Sequence, residues 1–503
     1  MGDKREFPWA ATGISICFLM GAFLRIWQFA ANRSLWLDEA MLALNVVNRS
    51  WVELTQPLDY NQGAPIGFLF VQKLMIVLFG NQDLYLRLFP LAASLLSIFL
   101  IWKVAQGFLS KIGVLIVLGF FVLSTQLIYY SSEAKQYASD VLVALLLLFV
   151  FSRYLAQARR RFLWLAAAGA LGMWLSHPTV FVLAGIGLSL SLDALIKKEW
   201  GRLWQLGLVF LAWLVSFAIL YFVSLRFLAT NTYLNDYWSG GFMPIPPWID
   251  INWFRHTWFD LINNWVGLPK GIIRSIGGLV LLAGCVSISL RKWQWALVLI
   301  APFAFTLFAS GLEKYPFSGR LILFLLPSVF LLMAEGVERT RLLLSRIHPW
   351  LAYSVTALLV LLFLYQSASQ ALENVRQPDL REDIKPALSY LSQNRQSTDL
   401  IYVYHGSAPA FKYYSSFYNI SGRDYVVGIS SPRAPDKYLK DINKLIGRAR
   451  VWIIFSHECP LSLCKVDERN FFVDHLNRLG KRIQTFKSTG VTLYLYDLSV
   501  PKP

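Results

Sequence analysis

Stretches of apolar residues, each close to the length of a membrane-spanning helix, recur along most of this chain. A helix that crosses the hydrocarbon core of a bilayer needs about 20 predominantly apolar residues, because no water is present there to satisfy its backbone polar groups. The stretches lie between positions 11 and 368 of the 503 residues, and 56% of all residues are hydrophobic whereas 15% are charged. The sequence therefore predicts a polytopic α-helical membrane protein.

Eleven spanning helices are predicted from these stretches. They cover residues 11–30, 88–106, 112–129, 138–155, 162–176, 178–196, 203–226, 271–290, 293–310, 320–338 and 349–368. A further apolar segment, 64–80, is near the lower limit of spanning length and carries Gln72 and Lys73 at its centre. We interpret it as a helix that lies along the outer membrane surface.

The chain has a formal net charge of +17, and many of its Lys and Arg residues lie in short loops between the apolar stretches. In a soluble domain this charge would suggest a nucleic-acid partner, but in a membrane protein it indicates topology, since cytoplasmic loops are rich in Lys and Arg. The basic blocks are Lys4 and Arg5; Lys103 and Lys111; Arg153 with Arg159, Arg160 and Arg161; Lys197, Lys198 and Arg202; Arg291 and Lys292; and Arg339, Arg341 and Arg346.

Eleven crossings place all of these blocks in the cytoplasm, together with the N-terminus, and the C-terminal region outside. The first apolar run follows a basic start but has no small-residue cleavage site, so we interpret it as an uncleaved helix. We expect an integral, multi-pass protein of the plasma (inner) membrane.

Two domains are predicted. Residues 1–371 form the transmembrane domain, with outer loops at 31–87 and 227–270, and residues 372–503 form a small extracytoplasmic α/β domain. In the latter, the helical stretch "REDIKPALSYLSQN" is followed by the strand-like stretches "DLIYVYHG", "RVWIIFS" and "GVTLYLYDLS". Cys459 and Cys464 also lie there, and an oxidising compartment favours a disulfide over a metal site.

With this topology, ionisable and polar residues gather at the outer ends of the predicted helices. They are Asp38 and Glu39, Arg87, Glu133, Lys135, Tyr137, His177 and Arg320. Each has an ordinary structural interpretation: acids suit the first turn of a surface helix, Arg side chains anchor helix ends at the membrane surface, and a lone His before Pro is more often structural than catalytic. Because charged groups near the membrane interior are costly, their common location favours a single polar cavity.

This set of residues is suited to group transfer from a phosphate-linked lipid. Arg and Lys side chains at headgroup depth can bind a phosphate through charge-assisted hydrogen bonds, and they stabilise it as a leaving group. A nearby carboxylate can accept the proton of an attacking hydroxyl.

Four motifs, in this order, resemble those of a known family. They are "LWLDEA", "GAPIGFLFVQKLMIVLFGNQDLYLRLFP", "SSEAKQYASDVL" and "FSGRLILFLLP". The chain from about position 20 to 340 resembles the C-type membrane glycosyltransferases that use polyprenyl-phosphate sugars. Within these it resembles the bacterial members of glycosyltransferase family 39, which are related to protein O-mannosyltransferases and to the aminoarabinose transferase of lipid A.

The resemblance implies an inverting transferase that moves one sugar from a polyprenyl-phosphate donor to an acceptor hydroxyl on the extracytoplasmic side. The acceptor class, whether protein, lipid or glycan, stays open. Asp38 becomes the candidate general base, and Glu39 either a second catalytic group or its partner. Arg87, Lys135 and Arg320 become candidates for the donor phosphate, and Glu133, Tyr137 and His177 are further candidates for the same cleft.

Two departures from the family pattern affect these assignments. The proline motif reads "QGAPIG", with one proline and no His or Lys, so Gln62 or Lys73 is expected to replace the missing phosphate contact. Lys135 stands where the family turn carries Arg, which keeps the charge but loses the bidentate geometry.

The principal alternative function is a lipid-linked-sugar flippase or another transporter. Transporters place ionisable groups near the membrane midplane, often in two related halves, and this sequence shows neither. A noncatalytic sugar or lipid receptor is the third class. No cofactor is firmly indicated, although a divalent metal beside Asp38 and Glu39 stays open.

Overall fold

A computed structural model describes residues 8–156, 161–431, 434–459 and 467–499. Lys4, Arg5, Arg159, Arg160 and Cys464, which entered the predictions above, lie outside the described residues. The chain divides into two compact units: Met1–Ala31 with Arg49–Pro378, here called the helical unit, and Asn32–Asn48 with Asp379–Pro503, here called the α/β unit.

Helices account for most of the chain up to residue 376. In chain order they are α1 Pro8–Ala30, α2 Leu37–Asn48, α3 Ile66–Phe79, α4 Asp83–Leu86, α5 Leu88–Ala105, α6 Lys111–Leu123, α7 Thr125–Tyr130, α8 Tyr137–Ala156, α9 Phe162–Leu175, α10 Thr179–Ile196, α11 Trp200–Leu220, α12 Arg226–Ala229, α13 Thr232–Tyr237, α14 Ile251–Asp260, α15 Ile272–Arg291, α16 Trp293–Gly311, α17 Leu326–Leu344 and α18 Pro349–Arg376. All of these except α2 belong to the helical unit.

The predicted spanning segments correspond closely to these helices. Among the described residues, nine helical stretches are long and apolar enough to cross a membrane, and α3, α6 and α9 are apolar but shorter. The chain is therefore an integral membrane protein of mainly helical fold. The number of eleven crossings, which requires α6 and α9 to span and α3 to lie on the surface, stays a prediction.

Two predicted helices are interrupted. The apolar run 112–129 is divided at Ser124, which leaves helical geometry (ψ 112°) and whose hydroxyl accepts a hydrogen bond from the Leu127 N–H at 3.4 Å. The run 320–338 begins as a 3₁₀ helix, Gly319–Leu325, before α17 starts. Both interruptions lie near residues predicted to form the functional site.

Helix α17 lies at the centre of the helical unit, since every residue from Leu326 to Glu338 is buried. The Phe330 ring of α17 stacks on the Phe120 ring of α6, with 5.6 Å between the two ring centroids. The backbone of α17 approaches that of α15 so closely that a Cβ atom at Gly284 or Gly336 would collide with a carbonyl oxygen of the facing helix.

Buried acids tie the helices together at the ends that carry the basic blocks. Asp193 of α10 accepts from Arg202 at 2.6 Å and from Gln294 of α16 at 3.1 Å. Arg291 of α15 donates to Glu335 of α17 at 2.6 Å. These charges therefore have structural partners within the unit, which offsets the cost of burying them.

The α/β unit contains a five-stranded sheet of order β2-β1-β3-β5-β4. Its elements after α18 are α19 Ile384–Asn394, β1 Leu400–Val403, α20 Ala408–Tyr414, β2 Tyr425–Val427, α21 Asp436–Ile442, β3 Val451–Ser456, α22 Glu468–Leu479, β4 Lys481–Ser488 and β5 Val491–Asp497. Strands β1, β2 and β3 are parallel, whereas β5 is antiparallel to both β3 and β4.

The predicted α/β fold of the C-terminal region is thus confirmed, and the four stretches singled out in the sequence become α19, β1, β3 and β5. Strand β4 was not predicted, because its side chains are mostly exposed and polar. Segment Asn32–Asn48, predicted as part of the first outer loop, belongs to this unit.

Candidate active site

The acidic pair lies in the first turn of α2, in the α/β unit. Glu39 is fully buried, and its carboxylate accepts the Trp36 N–H at 3.0 Å and lies 3.7 Å from the Arg33 guanidinium, which is also buried. A Glu at the third helical position that reaches back to the residue before the helix forms half of a capping box. Asp38 is half-buried beside it. Glu39 therefore fixes the start of the helix that presents Asp38.

The segment before α2 is bound to the rest of the α/β unit by hydrogen bonds. The Leu35 N–H donates to the Tyr414 hydroxyl of α20 at 2.8 Å, and the Ser34 hydroxyl donates to Asp383. Lys385 donates its Nζ proton to the Asn32 carbonyl at 2.9 Å. These contacts hold α2 against α20 within one unit.

The Trp36 ring, two residues before Asp38, has polar groups on its surface. The Arg381 guanidinium lies 5.1 Å from one ring centre, and the His457 ring meets Trp36 edge-on at 5.6 Å. His457 in turn contacts Glu382, with 3.0 Å between Nδ1 and Oε1. The surroundings of Trp36 within this unit are therefore aromatic and mixed in charge.

Lys135 lies in the turn between α7 and α8 of the helical unit. It is 4% exposed, and its Nζ donates to the Gln62 side-chain oxygen at 2.6 Å. Glu133, in the same turn, is also buried. The structure therefore brings together Lys135 and Gln62, two of the predicted phosphate-binding residues, over a sequence separation of 73.

Arg320 lies at the start of the 3₁₀ helix Gly319–Leu325 and meets the first residue of α8. Its guanidinium is 5.6 Å from the ring centre of Tyr137 and 5.9 Å from that of Trp238, distances within reach of cation–π attraction. Tyr137 also packs edge-on against Tyr130 at 5.3 Å. Arg320 therefore lies against two aromatic rings, one of them in the first turn of α8.

The remaining predicted residues occupy separate elements of the helical unit. Arg87 is completely buried between α4 and α5. Lys73 is half-buried in α3, close enough to act electrostatically on Glu53. His177 lies in the turn between α9 and α10, where burial lowers the pKa of its imidazole to about 4 and keeps it neutral.

Four functional candidates were not found by sequence reasoning. Arg33 and Trp36 precede the acidic pair, and an Arg six residues before Glu39 was a signal visible in the sequence. Asp140 lies one turn after Tyr137 in α8, and Ser176 precedes His177. An ionisable residue inside a spanning helix, such as Asp140, is itself a sequence signal of function.

The described residues contain no group of three or more His, Cys, Asp or Glu side chains arranged to hold a metal ion. The predicted disulfide between Cys459 and Cys464 involves Cys464, which lies outside the described residues.

Comparison with known proteins was made by family and by fold. Residues 63–225, about a third of the chain, match the family model described as dolichyl-phosphate-mannose-protein mannosyltransferase. No curated protein sequence matches the chain.

Several solved structures are similar in fold over almost the whole chain. ArnT from Cupriavidus metallidurans bound to undecaprenyl phosphate is 11% identical with a TM-score of 0.54, and the alignment covers 99% of both chains. The archaeal oligosaccharyltransferase AglB from Archaeoglobus fulgidus, in complex with an inhibitory peptide and a dolichol-phosphate, is 10% identical with a TM-score of 0.52, covering 97% of this chain and 74% of that one. The Archaeoglobus fulgidus enzyme with Zn and sulfate is 13% identical, with a TM-score of 0.55, over 97% of this chain and 74% of that one.

These similarities confirm the predicted fold class, a C-type glycosyltransferase fold with a small sheet-containing unit at the C-terminal end. The family model covers the second and third of the four sequence motifs. It therefore confirms the predicted resemblance to the mannosyltransferase-like family over that part of the chain.

Proposed function

We propose that this protein is an inverting glycosyltransferase that moves one sugar from a polyprenyl-phosphate donor to an acceptor hydroxyl. The observation that carries the proposal is the fold similarity, over 99% of both chains, to a structure that holds undecaprenyl phosphate. The similarity of residues 63–225 to a family named for a dolichyl-phosphate sugar supports the same donor class.

The helical unit supplies the cations for the donor phosphate. Lys135, held by Gln62, lies just before α8, and Arg320 lies against Tyr137, the first residue of α8. Arg87 and Lys73 are further phosphate candidates, with Glu133 and His177 as other residues of the cleft. Positive charge near the phosphate lowers the free energy of the departing anion, so no separate acid is needed.

Asp38 is the proposed general base. In the proposed step, Asp38 accepts the proton of the acceptor hydroxyl as its oxygen attacks the anomeric carbon. A bond forms between the acceptor oxygen and this carbon on the face opposite the phosphate, the carbon–oxygen bond to the phosphate breaks, and polyprenyl phosphate leaves with the electron pair. Glu39, ion-paired with buried Arg33, acts as a positioning residue and not as a second base.

The site is proposed to face the extracytoplasmic side of a plasma membrane, with the N-terminus in the cytoplasm. This orientation rests on the basic loops, which place Lys and Arg on the other face. A periplasmic reporter fused after residue 499 should be active, whereas one fused between α10 and α11 should not.

The proposed reaction is tested by incubating the purified protein in liposomes with undecaprenyl phosphate that carries a labelled sugar. The proposal expects release of free undecaprenyl phosphate and appearance of label on a peptide, lipid or glycan acceptor. Labelled lipid that moves across the bilayer with its sugar still attached, and with no transfer, would identify a flippase instead. Mass spectrometry of lipids copurified with the protein identifies the natural donor.

A divalent metal is not part of the proposed step. Transfer measured in excess EDTA, and again after Mg²⁺ or Mn²⁺ is restored, tests whether an ion beside Asp38 contributes.

A further inference from the structure

A group of buried polar side chains lies where the start of α8 meets the turn between α9 and α10. We call it the α8 polar cluster, and its members are Gln136, Asp140, Ser176 and His177. The two elements are joined by the Ser139 hydroxyl, which lies 3.5 Å from the Leu175 carbonyl oxygen. None of the four cluster residues takes part in the ion pairs that tie the helices at the opposite ends.

Three members of the cluster are almost inaccessible to solvent, and the fourth, His177, is half-buried. Gln136, Asp140 and Ser176 are 8%, 5% and 1% exposed, and Nε2 of His177 is buried as well. Gln136 and Asp140 are four residues apart in a helical turn, so they share one face. Ser176 lies beside Asp140, so the polar groups of the two elements adjoin one another.

Each member has at least one polar atom without a hydrogen-bond partner in the part of the chain that the structure describes. These atoms are Oε1 of Gln136, Oδ1 of Asp140, Oγ of Ser176 and Nε2 of His177. Burying a polar group without a hydrogen bond is unfavourable, and native proteins rarely do so for several groups in one place. Side chains with this much unused capacity are typical of a site that binds a polar ligand.

The atoms without a hydrogen-bond partner in the described part of the chain are chiefly acceptors, so the ligand is expected to carry hydrogen-bond donors. A carboxylate oxygen, an amide oxygen and a hydroxyl oxygen can each accept a hydrogen bond from an O–H or N–H donor. A ligand with several donors at different angles, such as the hydroxyl or amino groups of a sugar ring, fits this set. A phosphate, which carries acceptors only, does not.

The cluster lies beside the residues proposed to bind the donor phosphate. Tyr137, one turn before Asp140, has the Arg320 guanidinium 5.6 Å from its ring centre. Tyr315 lies close enough to interact electrostatically with both Tyr137 and Asp140, and its hydroxyl donates to the Leu321 carbonyl at 2.8 Å. Asp140 is thus one helical turn along α8 from the residue that the Arg320 guanidinium contacts.

We infer that the α8 polar cluster is the subsite for the sugar of the lipid-linked donor, with Asp140 as its principal specificity-determining residue. The inference rests on the proposed function, because it places the sugar next to the phosphate that Arg320 and Lys135 bind. Asp140 accepts a hydrogen bond from a hydroxyl or amino group of the sugar ring, while Ser176 and Gln136 bind neighbouring hydroxyls.

The test compares the binding of two kinds of lipid to purified full-length variants. The probes are undecaprenyl phosphate without a sugar and undecaprenyl phosphate that carries mannose, glucose or an aminopentose. Asp140→Asn has the same shape but replaces one oxygen acceptor with a donor amide. It should weaken binding of the preferred glycosylated lipid by about tenfold to hundredfold, and binding of undecaprenyl phosphate by less than twofold.

Ser176→Ala has a matched control in the chain. Ser189 of α10 is also buried, but its hydroxyl donates to the Gln294 carbonyl at 3.0 Å, away from the cluster. Ser176→Ala is expected to weaken binding of the glycosylated lipid by about three- to tenfold, and Ser189→Ala to leave both affinities unchanged. Thermal midpoints within 2 °C, about the shift expected from a small change in stability, establish that each variant is folded.

Equal loss of affinity for both lipids in Asp140→Asn, or no loss for either, would overturn this inference and leave the proposed function standing. A wild-type protein that binds undecaprenyl phosphate in neither form would overturn both. A wild-type protein that binds the free phosphate lipid as tightly as every glycosylated one would overturn the sugar subsite alone.

Discussion

Replacing Lys135 with methionine is expected to weaken the binding of undecaprenyl phosphate by about tenfold to hundredfold. The lysine is 4% exposed, so its ammonium is already removed from water, and the 2.6 Å contact with Gln62 holds it in place. A hydrogen bond to a charged group contributes about 1.5–3 kcal/mol, and about 1.4 kcal/mol corresponds to a factor of ten in affinity. Methionine has a similar length but carries no charge, so the variant removes the electrostatic contribution with little change in packing.

The contact with Gln62 gives this prediction a second part. If Gln62 acts by orienting the ammonium, Gln62→Ala should weaken binding by about threefold to tenfold in the presence of Lys135. In the Lys135→Met background the same change should have no further effect, because no ammonium is left to orient. This non-additivity, measured as a double-mutant cycle, separates a positioning role from direct contact of Gln62 with the lipid.

Binding is measured on detergent-solubilised protein by titration with undecaprenyl phosphate, followed by tryptophan fluorescence or thermophoresis. Lys103→Met is the matched control, since Lys103 lies 3.9 Å from the Trp102 ring in the last turn of α5, among the basic residues predicted to be cytoplasmic. It should bind the lipid with wild-type affinity. Wild-type affinity of a folded Lys135→Met variant would refute the placement of the donor phosphate at this turn.

Three further variants test other parts of the structure. Glu39→Gln should lower the free energy of unfolding of the α/β unit by about 3 kcal/mol, because it removes the negative charge that faces the buried Arg33 guanidinium. Combining it with Arg33→Met should recover part of this loss, as measured by thermal unfolding. Arg320→Lys keeps the charge but loses the planar group over Tyr137, and should reduce transfer activity by about tenfold, whereas Arg320→Ala should reduce it further. Burial lowers the pKa of His405, so below about pH 6.5 the folded α/β unit binds fewer protons than the unfolded chain. The thermal midpoint of this unit should therefore fall as the pH falls from 7.5 to 5.5. His405→Gln should reduce that pH dependence.

The helical architecture was largely predictable, because the length and apolar character of spanning helices follow directly from the membrane. The interruption at Ser124 was not, since the apolar run continues on both sides of it. In the same way, the assignment of segment 32–48 to the α/β unit depends on contacts with residues such as Tyr414, about 380 positions later in the chain, and no local pattern indicates them.

The candidate site was predicted in part for similar reasons. The topology inferred from the basic loops indicated Lys135 and Arg320 as site residues. It did not predict that Gln62 contacts Lys135 or that Tyr137 contacts Arg320. Asp140 was not among the predicted residues, because it lies inside a predicted spanning helix and its carboxylate oxygen without a hydrogen-bond partner among the described residues is apparent only in the folded protein. Burial and hydrogen-bond satisfaction are properties of the packed chain that a single sequence does not provide.

The central claim is that Asp38 accepts the proton of the acceptor hydroxyl during sugar transfer. Asp38→Asn should fold, bind undecaprenyl phosphate normally, and lose sugar transfer by about a hundredfold to ten-thousandfold. Asp436→Asn is its matched control, because Asp436 is also in the first turn of a helix of the α/β unit but is exposed. Loss of transfer in Asp38→Asn alone is the predicted result, and transfer at the wild-type rate by folded Asp38→Asn would contradict the account.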